Sequence, residues 1–354
     1  MKKKFRKIIK SALVQNGLEM KLPLGLIRWP FHYSNYIKHL IPLPATRIGI
    51  LLNRDPEKVK NYRLRDTITD DDKVAIVKKQ YKKRLGREPR LEPPVSFTEK
   101  LNYMKLFYED ERITQCCDKF RLKEYIRKNL GEGYCAETYY SCTRFFLRDF
   151  DRLPRRFALK VNWSSGYNIF VRDKDSLSVR EKCLIVWQLK EWTKAYANSY
   201  YSSWYQGYKT VSPVIYAEEL LPDDFTKQEY KVFCFSGKPA FVLIEMEPNS
   251  AYHRRACVDL KGDRLPFTFG TGPQAEHYTL PDCFGEILKT AEILAKDFPF
   301  VRVDYYVGEG RLLIGEMTFY SGGGYSTVVP QSWDEKLGEQ FKLEITNTRR
   351  NRYT

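Results

Sequence analysis

Three charged residues near the C-terminal end have the spacing that chemistry on phosphate needs. Val301-Arg302-Val303-Asp304-Tyr305-Tyr306-Val307 alternates as a half-buried strand does, Gly308-Glu309-Gly310 supplies a turn, and Leu312 to Phe319 returns. A three-residue turn centred on Glu309 sets Arg302 opposite Glu316 and Asp304 opposite Ile314. Asp304 and Glu316 are then diagonal neighbours on one face, about 7–8 Å apart between backbones, with Thr318 on the same face. Two carboxylates on rigid strands can share Mg²⁺, which prefers oxygen ligands and keeps waters that phosphate oxygens replace. Arg302 beside them can neutralise charge on a transferring phosphoryl group. The competing reading is a surface hairpin with an ordinary Arg302–Glu316 cross-strand pair. Ser321-Gly322-Gly323-Gly324 follows the hairpin and weakens that reading, because glycines after a strand expose backbone N–H groups to an anion or oxyanion.

Other candidates lie upstream. Lys160 ends a strand just before the turn Ser164-Ser165-Gly166, and a strand–Lys–flexible turn–strand unit can fold over nucleotide phosphates. It is neither a Walker loop nor a dinucleotide fingerprint. Lys119, after Asp118, is a second phosphate-reach lysine, unless it is a solvated lysine at a helix start. Glu218-Glu219 follow a short strand, where a hinge to a nucleotide base can sit; otherwise they are a polar strand end. His253, Arg254 and Arg255 lie between two strands and can bind a carboxylate or diphosphate, or form a solvated loop.

The elements that must position these residues read as α+β with antiparallel pieces dominating. A helix begins near Thr69, capped with Asp72, and ends near Gly86. A second capping box, Ser96 with Glu99, opens a helix carrying Phe97, Leu101, Met104 and Phe107. A third runs from about Asp118 to Leu130. Phe157 to Lys160 and Asn168 to Val171 form a strand pair. Residues 179–208 read as helical, with Trp187, Trp192, Tyr196, Tyr200 and Trp204 as core. Val214 to Tyr216 is a strand. Tyr230 to Phe235 and Ala240 to Ile244 form a hairpin, a shorter one turns at Lys261-Gly262, and residues 283–296 form an amphipathic helix.

The 354 residues carry a net charge of +16 with 43% hydrophobic residues, which describes a folded chain rather than a disordered one. No run of roughly 18 apolar residues marks a membrane span. The basic start, Met1 to Lys7, resembles a signal-peptide n-region, but Gln15-Asn16 and Lys21 break the apolar stretch that would follow. The eight cysteines form no CxxC pair and only four histidines accompany them, so the expectation is reduced, buried thiols rather than zinc or disulfides. Residues 1–40 hold nine Lys/Arg against Glu19 alone, half of the net charge, interleaved with Trp29, Phe31 and several aliphatic residues. That mixture suits an anionic membrane surface. A basic arm docked on its own protein is the alternative. Nucleic acid is not expected, since no binding motif supports it.

These pieces occur in a recognisable order. The chain resembles the ATP-grasp superfamily and, within it, the TupA-like family of teichuronopeptide and capsule biosynthesis. The resemblance is carried by Ser96-Phe97-Thr98-Glu99-Lys100-Leu101, Cys117-Asp118-Lys119-Phe120 and Ala158-Leu159-Lys160-Val161-Asn162-Trp163-Ser164-Ser165-Gly166. It continues through Ala217-Glu218-Glu219-Leu220, Tyr230 to Lys238, Arg302-Val303-Asp304-Tyr305-Tyr306 and Gly315-Glu316-Met317-Thr318-Phe319. It covers roughly residues 90–340.

The resemblance implies an ATP-grasp fold, two α+β subdomains clamping ATP, behind a basic extension at 1–65. It divides the remainder into a helical segment 66–117, a lid 118–220 and a catalytic part 221–354. Lys119 and Lys160 would hold nucleotide phosphates under a lid with Ser165 and Gly166. Glu218, Glu219 and Leu220 would meet adenine, and Glu229 the ribose. Asp304 and Glu316 match the two metal-binding acids and Arg302 the arginine at the transferred phosphate. Thr318 stands where relatives usually have Asn, and Trp163-Ser164 where His-Gly is common. The implied reaction is ADP-forming carboxylate–amine ligation through an acyl phosphate, with amides of Gly322 and Gly323 receiving the oxyanion. The substrates implied are a glycan precursor bearing a uronic acid, lipid-linked in one version, and an amino acid or amine, with Arg254 and Arg255 as substrate contacts. The setting is the cytoplasm, at the inner membrane face. A sugar kinase or phosphotransferase, or a glycosyltransferase, is the alternative.

Overall fold

Thr69 accepts from the Asp72 amide while Asp72 accepts from the Thr69 amide, and this capping box opens α1 (Asp70–Leu85). Gly86, at φ +74°, closes it in the left-handed region that glycine adopts without cost. Ser96 and Glu99 repeat the device at α2 (Phe97–Phe107). The computed structural model describes residues 67–163, 166–195, 204–248 and 250–343. The basic arm, Ser164, Ser165, Tyr196 and Tyr200 therefore lie outside the described residues.

After α2 come α3 (Glu111–Cys117) and α4 (Leu122–Leu130). The third expected helix thus starts four residues later than Asp118. Asp118 instead accepts the Phe120 and Arg121 amides and makes a turn that leaves Lys119 outside any helix. The chain then builds a four-stranded antiparallel sheet from β1 (Thr138–Cys142), β2 (Phe157–Val161), β3 (Asn168–Val171) and β4 (Ile215–Glu218), in the order β1-β4-β2-β3. Strand β1 has no counterpart in the sequence reading. Helix α5 (Val179–Ala195) covers this sheet through Ile185, Leu189 and Trp192. The aromatic stretch is helical only to Ala195 among the described residues, and Gln206–Tyr208 is a 3-10 turn.

A larger antiparallel sheet follows: β5 (Gln228–Phe235), β6 (Lys238–Met246), β7 (Arg254–Val258), β9 (Phe300–Gly308) and β10 (Arg311–Thr318), in the order β10-β9-β5-β6-β7. The short hairpin expected at Lys261-Gly262 has one antiparallel bridge, Val258 to Arg264, with Asp259 N donating to Asp263 O and Leu265 N to Cys257 O. Short β8 (Thr268–Phe269) pairs with β11 (Val328–Val329). Helix α6 (Phe284–Ala295) packs on one face of the large sheet, where Thr290 bonds the Tyr305 hydroxyl and Cys234 reaches Ala291 O. Helix α7 (Ser332–Gln340) is the last helix among the described residues.

Among the described residues of the segment read as a helical unit, 66–117, Phe97, Leu101, Met104, Ile113 and Cys116 belong to the core of the large sheet. Phe97 lies 5.2–6.3 Å, ring centre to ring centre, from Phe233, Phe235, Phe269, Phe300 and Phe341. Leu122 and Ile126 of α4 join the same core. Burying an aromatic ring of this kind is worth about 2–3 kcal/mol, so α2 is held by the large sheet rather than by its own propensity. All eight cysteines are free thiols, and Cys116, Cys234 and Cys257 are buried. Among the described residues, no helix is long and apolar enough to cross a membrane.

Candidate active site

The β9–β10 hairpin turns on two residues, Glu309 (φ +48°) and Gly310 (φ +71°), with Gly308 paired to Arg311. The expected three-residue turn is therefore corrected. From that turn, Tyr305 faces Ile314. Gly315 is then an extra residue, a β-bulge, and below it Asp304 faces Glu316 directly while Arg302 faces Thr318. The expected diagonal relation between the acids is a direct one. A side chain at 315 would run into the Tyr306 ring, which is why glycine occupies the bulge.

The Arg302–Glu316 pair of the competing reading is not made. Arg302 instead grips Asp304 with two hydrogen bonds, Nε to Oδ1 and Nη2 to Oδ2, both 2.6 Å. It also donates to Thr318 Oγ1 and Ser321 Oγ, both at 3.0 Å. Glu316 is held by Lys119, Nζ to Oε2 3.0 Å. Burial pushes the Glu316 carboxyl up, but Lys119 and Arg302 overcome this and hold it below its ordinary value. Burial leaves Asp304 raised despite Arg302 and Lys231. Two carboxylates in register with a neighbouring hydroxyl form a hard-oxygen donor set that fits Mg²⁺. Among the described residues there is no group of three or more His, Cys, Asp or Glu arranged for a metal, so phosphate oxygens and water would complete such a site.

Lys119 reaches Glu316 because its backbone is tied to the small sheet. Its N–H donates to Asn162 O, and the Asn162 amide nitrogen donates to Asp118 Oδ2 at 2.7 Å. Asn162 Oδ1 accepts from Val214 N. One buried asparagine thus fixes the end of β2, the start of β4 and the Lys119 turn. On β2, Lys160 pairs with Glu218, and Lys123 of α4 donates to the same carboxylate at 2.6 Å. Burial raises the Glu218 carboxyl, and Lys160 and Lys123 reverse this and hold it low.

Lys119, Lys123, Lys160, Gly166, Tyr216, Glu218, Leu221, Tyr306 and Glu316 line one cleft between the two sheets. The cleft is partly open to solvent. The structure thus brings together Lys119, Lys160, Gly166, Glu218 and Glu316. Leu220 does not line the cleft; Leu221 does. Glu219 turns away to a bidentate pair with Arg311, at 2.6 and 2.9 Å. Glu229 lies across β5–β9 from Tyr306, with Lys231 Nζ 3.1 Å away, and burial raises its carboxyl.

Strand alternation puts Arg254 and Arg255 on opposite faces of β7. Arg255 faces Glu245, with Nη2 3.2 Å from its Oε1, and also donates to Phe269 O. Arg254 is paired with Met246 in register and donates to His253 O. The Gly323 amide, expected to meet an oxyanion, donates to Tyr320 O at 2.7 Å. The loop is held from behind by α2: Lys105 donates to Gly323 O and Asn102 to Gly324 O. Gly322, at φ +58°, is the exposed member.

Lys123, Lys231 and Glu245 escaped the sequence reading. Lys123 sits on the buried face of an amphipathic helix, where a lysine is a signal. Lys231 and Glu229, at alternate positions of β5, share the face of Asp304. That face became legible only with the β5–β9 pairing, which joins segments about seventy residues apart in sequence.

A cleft between two antiparallel sheets, two lysines from the smaller sheet's side and two acids and an arginine on the larger define an ATP-grasp architecture. Residues 99–342 match the TupA-like ATP-grasp family, and the chain belongs to it. Among solved structures it is similar to D-alanine–D-alanine ligase from Bacillus anthracis, at 18% identity and a TM-score of 0.35, covering 62% of this chain and 59% of that one. It is also similar to an N5-carboxyaminoimidazole synthase from Aspergillus clavatus (14% identity, TM-score 0.36, 63% and 50% covered). A third is the ATP-grasp ligase PsnB with minimal precursor, Mg and ADP (12% identity, TM-score 0.35, 69% and 66% covered). The chain thus spans less than two thirds of the length of each. No curated protein matches.

Proposed function

We propose that the protein is an ADP-forming, ATP-dependent carboxylate–amine ligase acting on a uronic acid carboxylate of a cell-surface glycan precursor. The observation that carries this reading is the Lys119–Glu316 contact at 3.0 Å, with Asp304 in register with Glu316. It sets a cation from the small-sheet side of the cleft against the acids of the large sheet, where a nucleotide's phosphates and their metal would meet. Family membership supports ATP as co-substrate. Lys160 and Lys119 bind and orient phosphates, and Arg302 turns from Asp304 to the transferred group. Asp304 and Glu316, with Thr318 beside them, would hold a magnesium ion, which would supply charge neutralisation at the phosphates. The carboxylate becomes an acyl phosphate, the amine attacks it, and amide, ADP and phosphate leave. No Ser or Cys nucleophile is needed.

The basic, aromatic segment 1–40 would bring the enzyme to an anionic membrane carrying a lipid-linked precursor. Its deletion should weaken liposome binding and leave nucleotide binding intact.

The test is a thermal melt with Mg²⁺-ATP of the wild type and of Asp304→Asn with Glu316→Gln. Nucleotide at 100 times its Kd stabilises by about 2.7 kcal/mol, a shift of at least a few degrees. A metal-dependent shift that the double variant loses supports the reading. No shift at millimolar nucleotide overturns it.

A further inference from the structure

On the charged face of the large sheet, Glu316 of β10, Asp304 of β9 and Lys231 of β5 stand in one register row across three strands. Nothing in the function described so far uses Lys231. Its side chain is only 13% exposed, yet it is not left to a single partner. Glu229 accepts from it at 3.1 Å and Glu245 more closely. Glu245 is anchored in turn by Arg255 at 3.2 Å and lies 3.6 Å from His253 Nε2. An ammonium buried among carboxylates keeps its proton, and Glu229, Asp304 and Glu245 together raise its pKa against the pull of burial.

We propose that Lys231 is a second cation facing the transferred phosphoryl group, beside Arg302, and that Glu245 is its positioning residue. The proposal rests on the ligase reading above and adds a residue to it. A flexible, compact ammonium one strand from Asp304 can swing toward a phosphoryl group that the Asp304–Glu316 pair brings to this face. Glu245 suits the anchoring role because Arg255 keeps it in place when the lysine moves. The competing explanation is a satisfied ion cluster that merely fixes the β5–β6 register.

Isothermal titration separates the two without an acceptor substrate. Full-length wild type, Lys231→Met and Lys231→Arg are titrated with Mg²⁺-ADP and with Mg²⁺-AMPPNP, which differ by the terminal phosphoryl group. Lys231→Met should lose about tenfold or more in AMPPNP affinity, as for a lost charge-assisted hydrogen bond. Its ADP affinity should hold, and Lys231→Arg should restore much of the difference. Glu245→Gln should show a smaller loss of the same kind. An unchanged AMPPNP-to-ADP ratio in Lys231→Met overturns the proposal. Failure of the wild type to bind either nucleotide instead overturns the ligase reading. Should Lys231→Met not fold, the same ratio is measured in Lys231→Met with Glu229→Gln, which removes lysine and partner together. Glu229 is a ribose candidate, and ribose is common to both nucleotides, so its change leaves the ratio to report on Lys231.

Discussion

Asp304 lies directly across from Glu316 because Gly315 is one residue too many for its strand. Above the bulge, Tyr305 opposes Ile314; below it, Asp304 opposes Glu316. Were Gly315 paired in regular register instead of bulged, Asp304 would oppose it, and Glu316 would turn with period two toward the face that packs on α6. The second acid reaches the candidate site only through this irregularity.

Gly315→Ala should therefore affect stability and site together. The added methyl meets the Tyr306 ring. Overpacking of this kind costs about 1–3 kcal/mol, and relief by shifting β10 moves Glu316 relative to Asp304. The melting midpoint should fall, and the rise produced by Mg²⁺-ATP should shrink. A variant that melts and responds like wild type would show that the bulge does not set the acid pair.

Much of the scaffold was legible because its signals are local. Thr69 with Asp72 and Ser96 with Glu99 announce their helices within four residues. The alternation around Asp304 announces a strand. The hairpin register was not legible, since a two-residue turn and a bulge each shift it by one and the sequence Gly308-Glu309-Gly310 also suits three. Lys231 and Lys123 were missed for a different reason. A buried lysine is identified by its partners, and Glu245 and Glu218 come from other elements. The opposite faces of Arg254 and Arg255 were implicit in strand alternation, and they became decisive once β7 was seen to reach Arg254.

Those faces make a paired prediction. Arg255→Ala removes the ion pair to Glu245 and the bond to Phe269 O, both largely buried. It leaves Glu245 to Lys231 and His253, and a loss of about 2–3 kcal/mol is expected, since hydrogen bonds to charged groups are worth about 1.5–3. Arg254→Ala removes one bond to its neighbour's carbonyl and should cost less than about 1 kcal/mol. Urea titration of both variants compares them. Equal losses would contradict the assigned faces.

On the proposed function, Lys119 and a metal ion would compete for Glu316. In Lys119→Met the half-buried carboxylate loses its closest cation, so the midpoint without ligand should fall. Added Mg²⁺, with no nucleotide, should then raise it more than it raises wild type, because the ion meets an unpaired acid instead of displacing a lysine. Melts over a Mg²⁺ series check this. Equal metal responses in the two proteins would place the Lys119 charge away from Glu316.

Glu218 should give the protein part of its sensitivity to acid. Its carboxyl is buried, and Lys160 and Lys123 hold its pKa below the ordinary 4.5. As pH falls below about 4.5, the unfolded chain takes up this proton before the folded one does. The stabilisation is thus complete above the unfolded pKa and is lost as pH drops through the folded one. Glu229, with its pKa raised by burial, works in the opposite sense, and its cost is relieved as pH falls through that raised value toward 4.5, before the Glu218 loss sets in. Glu218→Gln abolishes one titration and leaves two lysines short of a counter-charge. At pH 7 the variant should be less stable by about 3–5 kcal/mol, as expected when one partner of a buried ion cluster is removed. Between pH 5 and 3 its midpoint should fall less steeply than that of wild type. The decisive quantity is the slope: parallel curves would mean that the Glu218 carboxyl titrates alike in the folded and unfolded chain, and the Lys160–Glu218–Lys123 cluster would then carry none of the acid dependence.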